Sequence, residues 1–126
     1  LFLIILSFGI CLRFSCPGFP LSCILFLFEV GVISAEVAKA MASGVRERIQ
    51  ADIGLAVTGI AGPSGVEDGA DKGKPVGLVY VATAINDDLE FKEYRFFGSR
   101  VDIKKRAANA ALNTLRLSLS GKTAKQ

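Results

Sequence analysis

The run Ala56-Val57-Thr58-Gly59-Ile60-Ala61-Gly62-Pro63-Ser64-Gly65 holds three glycines spaced three apart, fed by the apolar stretch Ile53 to Val57. Glycine tolerates positive φ and lets a ligand approach the main chain closely, while Pro63 fixes one φ angle among them. A buried strand that stops abruptly in such a loop is where α/β proteins place substrate, outside the carboxyl end of the strand. The spacing G-x-x-G-x-x-G is not a dinucleotide fingerprint, and no Gly-Lys-Ser/Thr follows to make a Walker loop. A tight strand-to-loop turn with no ligand is the competing explanation, because glycine punctuation is common.

Other chemistry is excluded by residue type. The chain has no histidine, so it cannot build a Ser-His-Asp or Cys-His centre, a His metal site or an imidazole pH sensor. Its three cysteines, Cys11, Cys16 and Cys23, are odd in number and fit no C-x-x-C spacing, and they read as incidental. The cluster Lys104-Lys105-Arg106 fans out around a helix axis beside Asp102, which is solvated surface rather than a phosphate patch. A net charge of +3 with acidic and basic residues mixed gives no nucleic-acid footprint. Neither a cofactor nor a metal is called for.

The 126 residues, 51% of them hydrophobic, allow one domain with an ample core. They divide into unlike pieces. Leu1 to Phe28 carries one charge, Arg13, whereas every acidic residue lies from Glu29 onward. Its apolar runs, Leu1 to Leu12 and Leu21 to Phe28, fall short of the ~20 residues a membrane span needs. Arg13 and the breaker cluster Cys16-Pro17-Gly18-Phe19-Pro20 stand between them. A signal peptide would show a basic start and small residues at a cleavage site, and both are missing. Leu, Phe, Ser, Ile, Cys and Pro share pyrimidine-rich codons, so a translated intron is a third explanation beside a kinked span and genuine core. The expectation is an atypical, non-native start over residues 1–28, a partial domain over 29–121 and a tail over 122–126. Carbonate-resistant insertion of the 1–28 segment into microsomes would overturn the non-membrane reading. A soluble intracellular setting is expected.

From Ser34 the pattern is coherent. Ser34 is a good N-cap, with Glu36 facing the positive end of the helix dipole. Val37, Met41, Val45 and Ile49 recur every four residues, joined by Ala38 and Ala42, and predict a helix of roughly four turns ending near Gln50. Asp52 to Thr58 reads as a strand covered on both faces. Gly59 to Pro75 is a loop carrying Glu67, Asp68 and Asp71 around Lys72 and Lys74, long enough to be functional or mobile. Val76 to Ala84 and Leu89 to Phe97 are strands joined at Asn86-Asp87-Asp88 and therefore antiparallel. In the last strand Leu89 and Phe91 share one face while Tyr94 and Phe96 share the other. A bulge near Lys92-Glu93 or an edge strand with aromatics on both sides accounts for that switch. Ser99 and Asp102 then form a capping box. The helix they open has a polar stripe (Asp102, Lys105, Asn109, Asn113, Arg116) and a wide apolar face. That face comprises Ile103, Ala107, Ala108, Ala111, Leu112, Leu115 and Leu119, and Gly121 closes the helix.

Four blocks carry a resemblance. Gly31-Val32-Ile33-Ser34-Ala35-Glu36-Val37-Ala38 is similar to a "GAVSEEVA" helix start. Val57-Thr58-Gly59-Ile60-Ala61-Gly62-Pro63, Lys74-Pro75-Val76-Gly77-Leu78-Val79-Tyr80 and Phe97-Gly98-Ser99-Arg100 follow in order. Together they resemble the CinA C-terminal domain, the nicotinamide-nucleotide amidase family, over roughly residues 30 to 120. The resemblance implies an α/β fold, three layers around a mixed sheet, truncated at its N-terminal side. It also implies hydrolysis of the carboxamide of nicotinamide mononucleotide to the acid, with release of ammonia.

The family's reactive serine lies in an "ESCTGG"-like segment, and its helper Tyr and Lys in a "YSNxxK"-like segment, both upstream of "GAVSEEVA". Here that region is Leu1 to Phe28, which has no Lys, Tyr or Glu; Ser7, Ser15 and Ser22 lack the motif context. No catalytic residue carries over. Thr58, Gly59, Ala61 and Gly62 match pocket positions, and their N–H groups or the Thr58 hydroxyl are implied substrate contacts. The chain is expected to be a partial amidase domain, inactive as it stands; a non-catalytic nucleotide-binding or interaction module is the alternative. A pyridine nucleotide is the expected small-molecule partner, nucleic acid and membrane are not, and homo-oligomerisation is left open.

Overall fold

The chain is described by a computed structural model over residues 31–62 and 71–121. Helix α1 (Ala35–Ile49) opens where the Ser34 hydroxyl accepts the Val37 N–H at 3.2 Å. It closes at Gln50, whose φ of 52° is left-handed and whose N–H reaches the Arg46 and Glu47 carbonyls. Strands β1 (Ile53–Gly59), β2 (Leu78–Ile85) and β3 (Asp88–Arg95) follow, then helix α2 (Arg100–Leu119). Ser99 and Asp102 form the expected capping box. Hydrogen bonds from the Ser99 hydroxyl and N–H hold the Asp102 carboxyl below the usual carboxylate range.

The sheet order is β1-β2-β3, antiparallel throughout, with Ile53↔Ile85 to Gly59↔Val79 in one ladder and Leu78↔Arg95 to Ile85↔Asp88 in the other. A mixed sheet requires a parallel neighbour, and among the described strands none has one. The β2–β3 register runs without a slip, so the bulge near Lys92-Glu93 does not exist. The aromatic phase switch has a different cause: both faces of β3 have partners. Lys39 of α1 places its ammonium 4.4 Å from the Phe91 ring centroid. On the opposite face Tyr94 stacks on Phe96 and its hydroxyl lies 2.8 Å from Thr114 Oγ1. Thr114 already donates to the Ala110 carbonyl, so Tyr94 is the donor in that pair.

The two helices lie on opposite faces of the sheet. Ala38 and Ala42 of α1 pack with Ala56, Ala82 and Ala84, whereas Ile103, Ala107 and Ala111 of α2 pack with Val79 and Val81. Alternate residues of a strand point to opposite faces, which is why β2 needs an unbroken apolar run. The α/β/α layering stands as read. Strand β2 begins at Leu78 rather than Val76 because Gly77, at φ +91°, turns the chain. Its N–H donates to the Ile60 carbonyl at 2.7 Å, and its own carbonyl accepts the Phe96 N–H at 2.9 Å. A Cβ there would fall on the Phe96 carbonyl.

Both helical faces are narrower than the sequence suggests. Val45 and Ile49 are exposed at 39% and 67%. A strict four-residue repeat advances about 40° per step beyond a full turn, so the row beginning at Val37 rotates out of the core by its end. In α2 the buried stripe is Ile103, Ala107, Ala111 and Thr114, while Ala108, Leu112 and Leu119 face outward. Among the described residues no helix is long and apolar enough to cross a membrane. The readings of residues 1–28 and of the tail 122–126 lie outside the described residues.

Candidate functional site

Strand β1 ends where expected, in the glycine turn. Thr58 is 1% exposed, and its hydroxyl donates to the Val32 carbonyl at 2.8 Å, tying the strand end to the segment that leads into α1. Gly59 has a structural reason to be glycine: a Cβ would stand 2.6 Å from the Leu78 carbonyl oxygen. Ile60 is engaged on all sides. Its N–H donates to the Leu78 carbonyl at 2.9 Å, its carbonyl accepts from Gly77, and its side chain packs with Ile33 and Leu78. Ala61 and Gly62 follow half-buried, with Ala61 resting on the core between sheet and α2. The structure thus places Thr58, Gly59, Ala61 and Gly62 at one strand end, with Thr58 turned to the fold's interior. Pro63 to Ala70 lies outside the described residues.

Where the chain resumes, Asp71 is only 7% exposed and its carboxylate accepts three donors. They are the Val32 N–H at 2.6 Å, the Ile33 N–H at 3.2 Å and the Lys74 ammonium at 2.6 Å. Lys74 also donates to the Ile33 carbonyl at 2.5 Å. Sequence reasoning placed Asp71 and Lys74 in the loop as ordinary charges and missed this role. The available signal was their i, i+3 spacing at the foot of the loop.

Tyr80, half-buried on the α1 face of β2, borders the cluster of Ile33, Ile60 and Leu78. Burial raises its phenol, with the charge and hydrogen bond of Glu93 adding to the effect. It therefore stays protonated near neutral pH, with its hydroxyl engaged by Glu93. The hydroxyls of Ser34, Ser99, Ser118 and Ser120 bond to backbone groups or to the carboxylates of Asp102 and Glu90, none to a lysine or tyrosine. Among the described residues no group of His, Cys, Asp or Glu could hold a metal ion. A cleft lined by Thr83, Ile85, Asp88, Glu90 and Ser118 sits at the hairpin end of the sheet, away from the glycine turn.

The family model for the CinA C-terminal domain matches residues 25–119. The chain belongs to the CinA C-terminal domain family. It is 49% identical over 90 residues to a CinA-like protein of Geobacter sulfurreducens, covering 71% of this chain and 21% of that protein. A CinA-like protein of Acidobacterium capsulatum is 48% identical over 86 residues, covering 68% of this chain and 20% of the relative. The chain therefore spans about a fifth of the length of the curated relatives it matches. The crystal structure of the competence damage-inducible protein A from Klebsiella pneumoniae superposes with a TM-score of 0.70 at 31% identity. That superposition covers 81% of this chain and 59% of the Klebsiella chain. The CinA relationship confirms the fold class and accounts for the order of the four sequence blocks.

Proposed function

We propose that this CinA-type chain supplies the binding wall of an amidase domain acting on the carboxamide of nicotinamide mononucleotide, and that residues 1–126 by themselves bind without hydrolysing. One observation carries the reading. The carboxyl end of β1 stops in a turn whose supports, Thr58 and Ile60, are bonded inward, so that Ala61 and Gly62 remain half-buried at its tip. A glycine there lets a polar group reach the main chain.

Calorimetric titration of nicotinamide mononucleotide into the wild type and into Gly62→Val tests it. The β-branched side chain at position 62 would occupy the space a ligand needs beside the backbone, and binding is expected to disappear. Equal affinities for the two proteins would reduce the turn to a structural device.

A further inference from the structure

Asp71 carries an acidic side chain into the interior at the foot of the loop, and the backbone groups that receive it lie just ahead of α1. Two consecutive backbone N–H groups, Val32 and Ile33, point at its carboxylate together with the Lys74 ammonium. Successive N–H groups aimed at one anion form a charge-assisted cradle stronger than neutral hydrogen bonds. Gly31, at φ +79°, makes that cradle possible, since any Cβ there would collide with the Asp71 carboxylate. Lys74 closes the ring by donating to the Ile33 carbonyl as well.

This latch reaches the glycine turn by two separate routes. The Val32 carbonyl accepts the Thr58 hydroxyl at 2.8 Å. The Ile33 side chain shares one buried cluster with Ile60, in the middle of the turn, and with Leu78. We infer that Asp71 and Lys74 are positioning residues: they hold Val32 and Ile33 in place, and through them fix the Gly59–Gly62 turn for a ligand. A partly buried ion pair adds little stability over apolar packing, and in some proteins such a pair fixes one geometry, which suits a positioning role. The ligand part of this inference rests on the pocket reading above; the mechanical part does not.

The test uses the full 1–126 chain, with amide hydrogen exchange resolved by residue and with nicotinamide mononucleotide as the probe. In Asp71→Asn one acceptor oxygen becomes an NH2 group facing the Lys74 ammonium. Exchange at Val32 and Ile33 is expected to quicken on the order of tenfold or more. The same acceleration should appear at Ile60, whose N–H donates to the Leu78 carbonyl at 2.9 Å, while Val81 and Ala82 in the sheet centre keep the wild-type rate. Lys74→Met should reproduce the pattern and Lys74→Arg should restore it, because a guanidinium can reach both acceptors. Should Asp71→Asn fail to fold, the comparison of Lys74→Met with Lys74→Arg decides alone. Faster exchange at Val32 and Ile33 with Ile60 unchanged overturns the coupling. Uniform acceleration, Val81 included, means that the pair merely stabilises the domain, and overturns it too. Affinity for the nucleotide should fall about tenfold in Asp71→Asn; unchanged affinity beside a loosened turn overturns the positioning role. If the wild type itself binds no nucleotide, the pocket reading fails while the exchange pattern still decides the latch.

Discussion

Incubated with nicotinamide mononucleotide, the 126-residue chain is expected to release no ammonia above the uncatalysed background. Acyl transfer from a carboxamide needs a nucleophile with a proton acceptor in hydrogen-bond reach and donors placed for the oxyanion. The serine and Tyr/Lys segments that the CinA resemblance implies have no counterpart among Leu1 to Phe28, which contains neither Lys nor Tyr. Among the described residues, Ser34 and Ser99 cap helices and Ser118 bonds Glu90 and the Thr114 carbonyl. Loss of a nucleophile in a serine hydrolase costs on the order of a millionfold in turnover. The measurement is an ammonia assay on purified protein with an intact CinA-type amidase alongside. Comparable rates for the two would overturn the binding-wall reading and point to a nucleophile that the motifs do not reveal.

Gly54→Val should disrupt the fold more than any change of similar size on the surface. Gly54 lies under α1, where an added Cβ would fall on the Ala42 carbonyl oxygen, 2.9 Å from its carbon and 3.1 Å from the Arg46 Cβ. Two of those neighbours are helix backbone and cannot rotate aside. Overpacking a tight core with a single extra group typically costs about 1–3 kcal/mol, and valine adds three carbons. In a domain of this size each kcal/mol lowers the melting temperature by about 4–8 °C. Gly44→Ala is the matching control, because nothing lies within 4 Å of a Cβ built there. Replacing an exposed helical glycine by alanine should stabilise by roughly 0.5–1 kcal/mol. Circular dichroism melts that ranked the two variants together would show that α1 does not rest on β1 as described.

The Gly54 contact also shows how far a sequence can be read. Helix starts, the positions of the strands and the antiparallel β2–β3 hairpin were legible because their causes are local. Ser34 and Ser99 bond amides three residues on, and the few residues around Asn86-Asp87 leave no room for a crossover. The ladders place each strand within two residues of its expected bounds. Family membership was legible too, since the four blocks stand in linear order.

Local pattern failed where burial depends on what lies across the gap. Val45, Ile49, Leu112 and Leu119 repeat at helical spacing yet stay exposed, because a row of side chains spirals off the contact line and only the opposite surface fixes where burial stops. Aromatics on both faces of β3 fitted either a bulge or an edge strand; the unbroken register and the place of β3 at the edge of the described sheet decided for the second. Thr58 read as a group for a ligand, and the fold gives its proton to Val32, 26 residues away. The Asp71 cradle depends on contacts across 38 and 39 residues, made by backbone N–H groups that no sequence pattern displays. What this sequence determined by itself was the set of elements, their caps and the glycine turn, all governed by neighbours along the chain. The tertiary structure alone decided which polar groups are buried and by what they are held, because those partners meet only once the layers have packed.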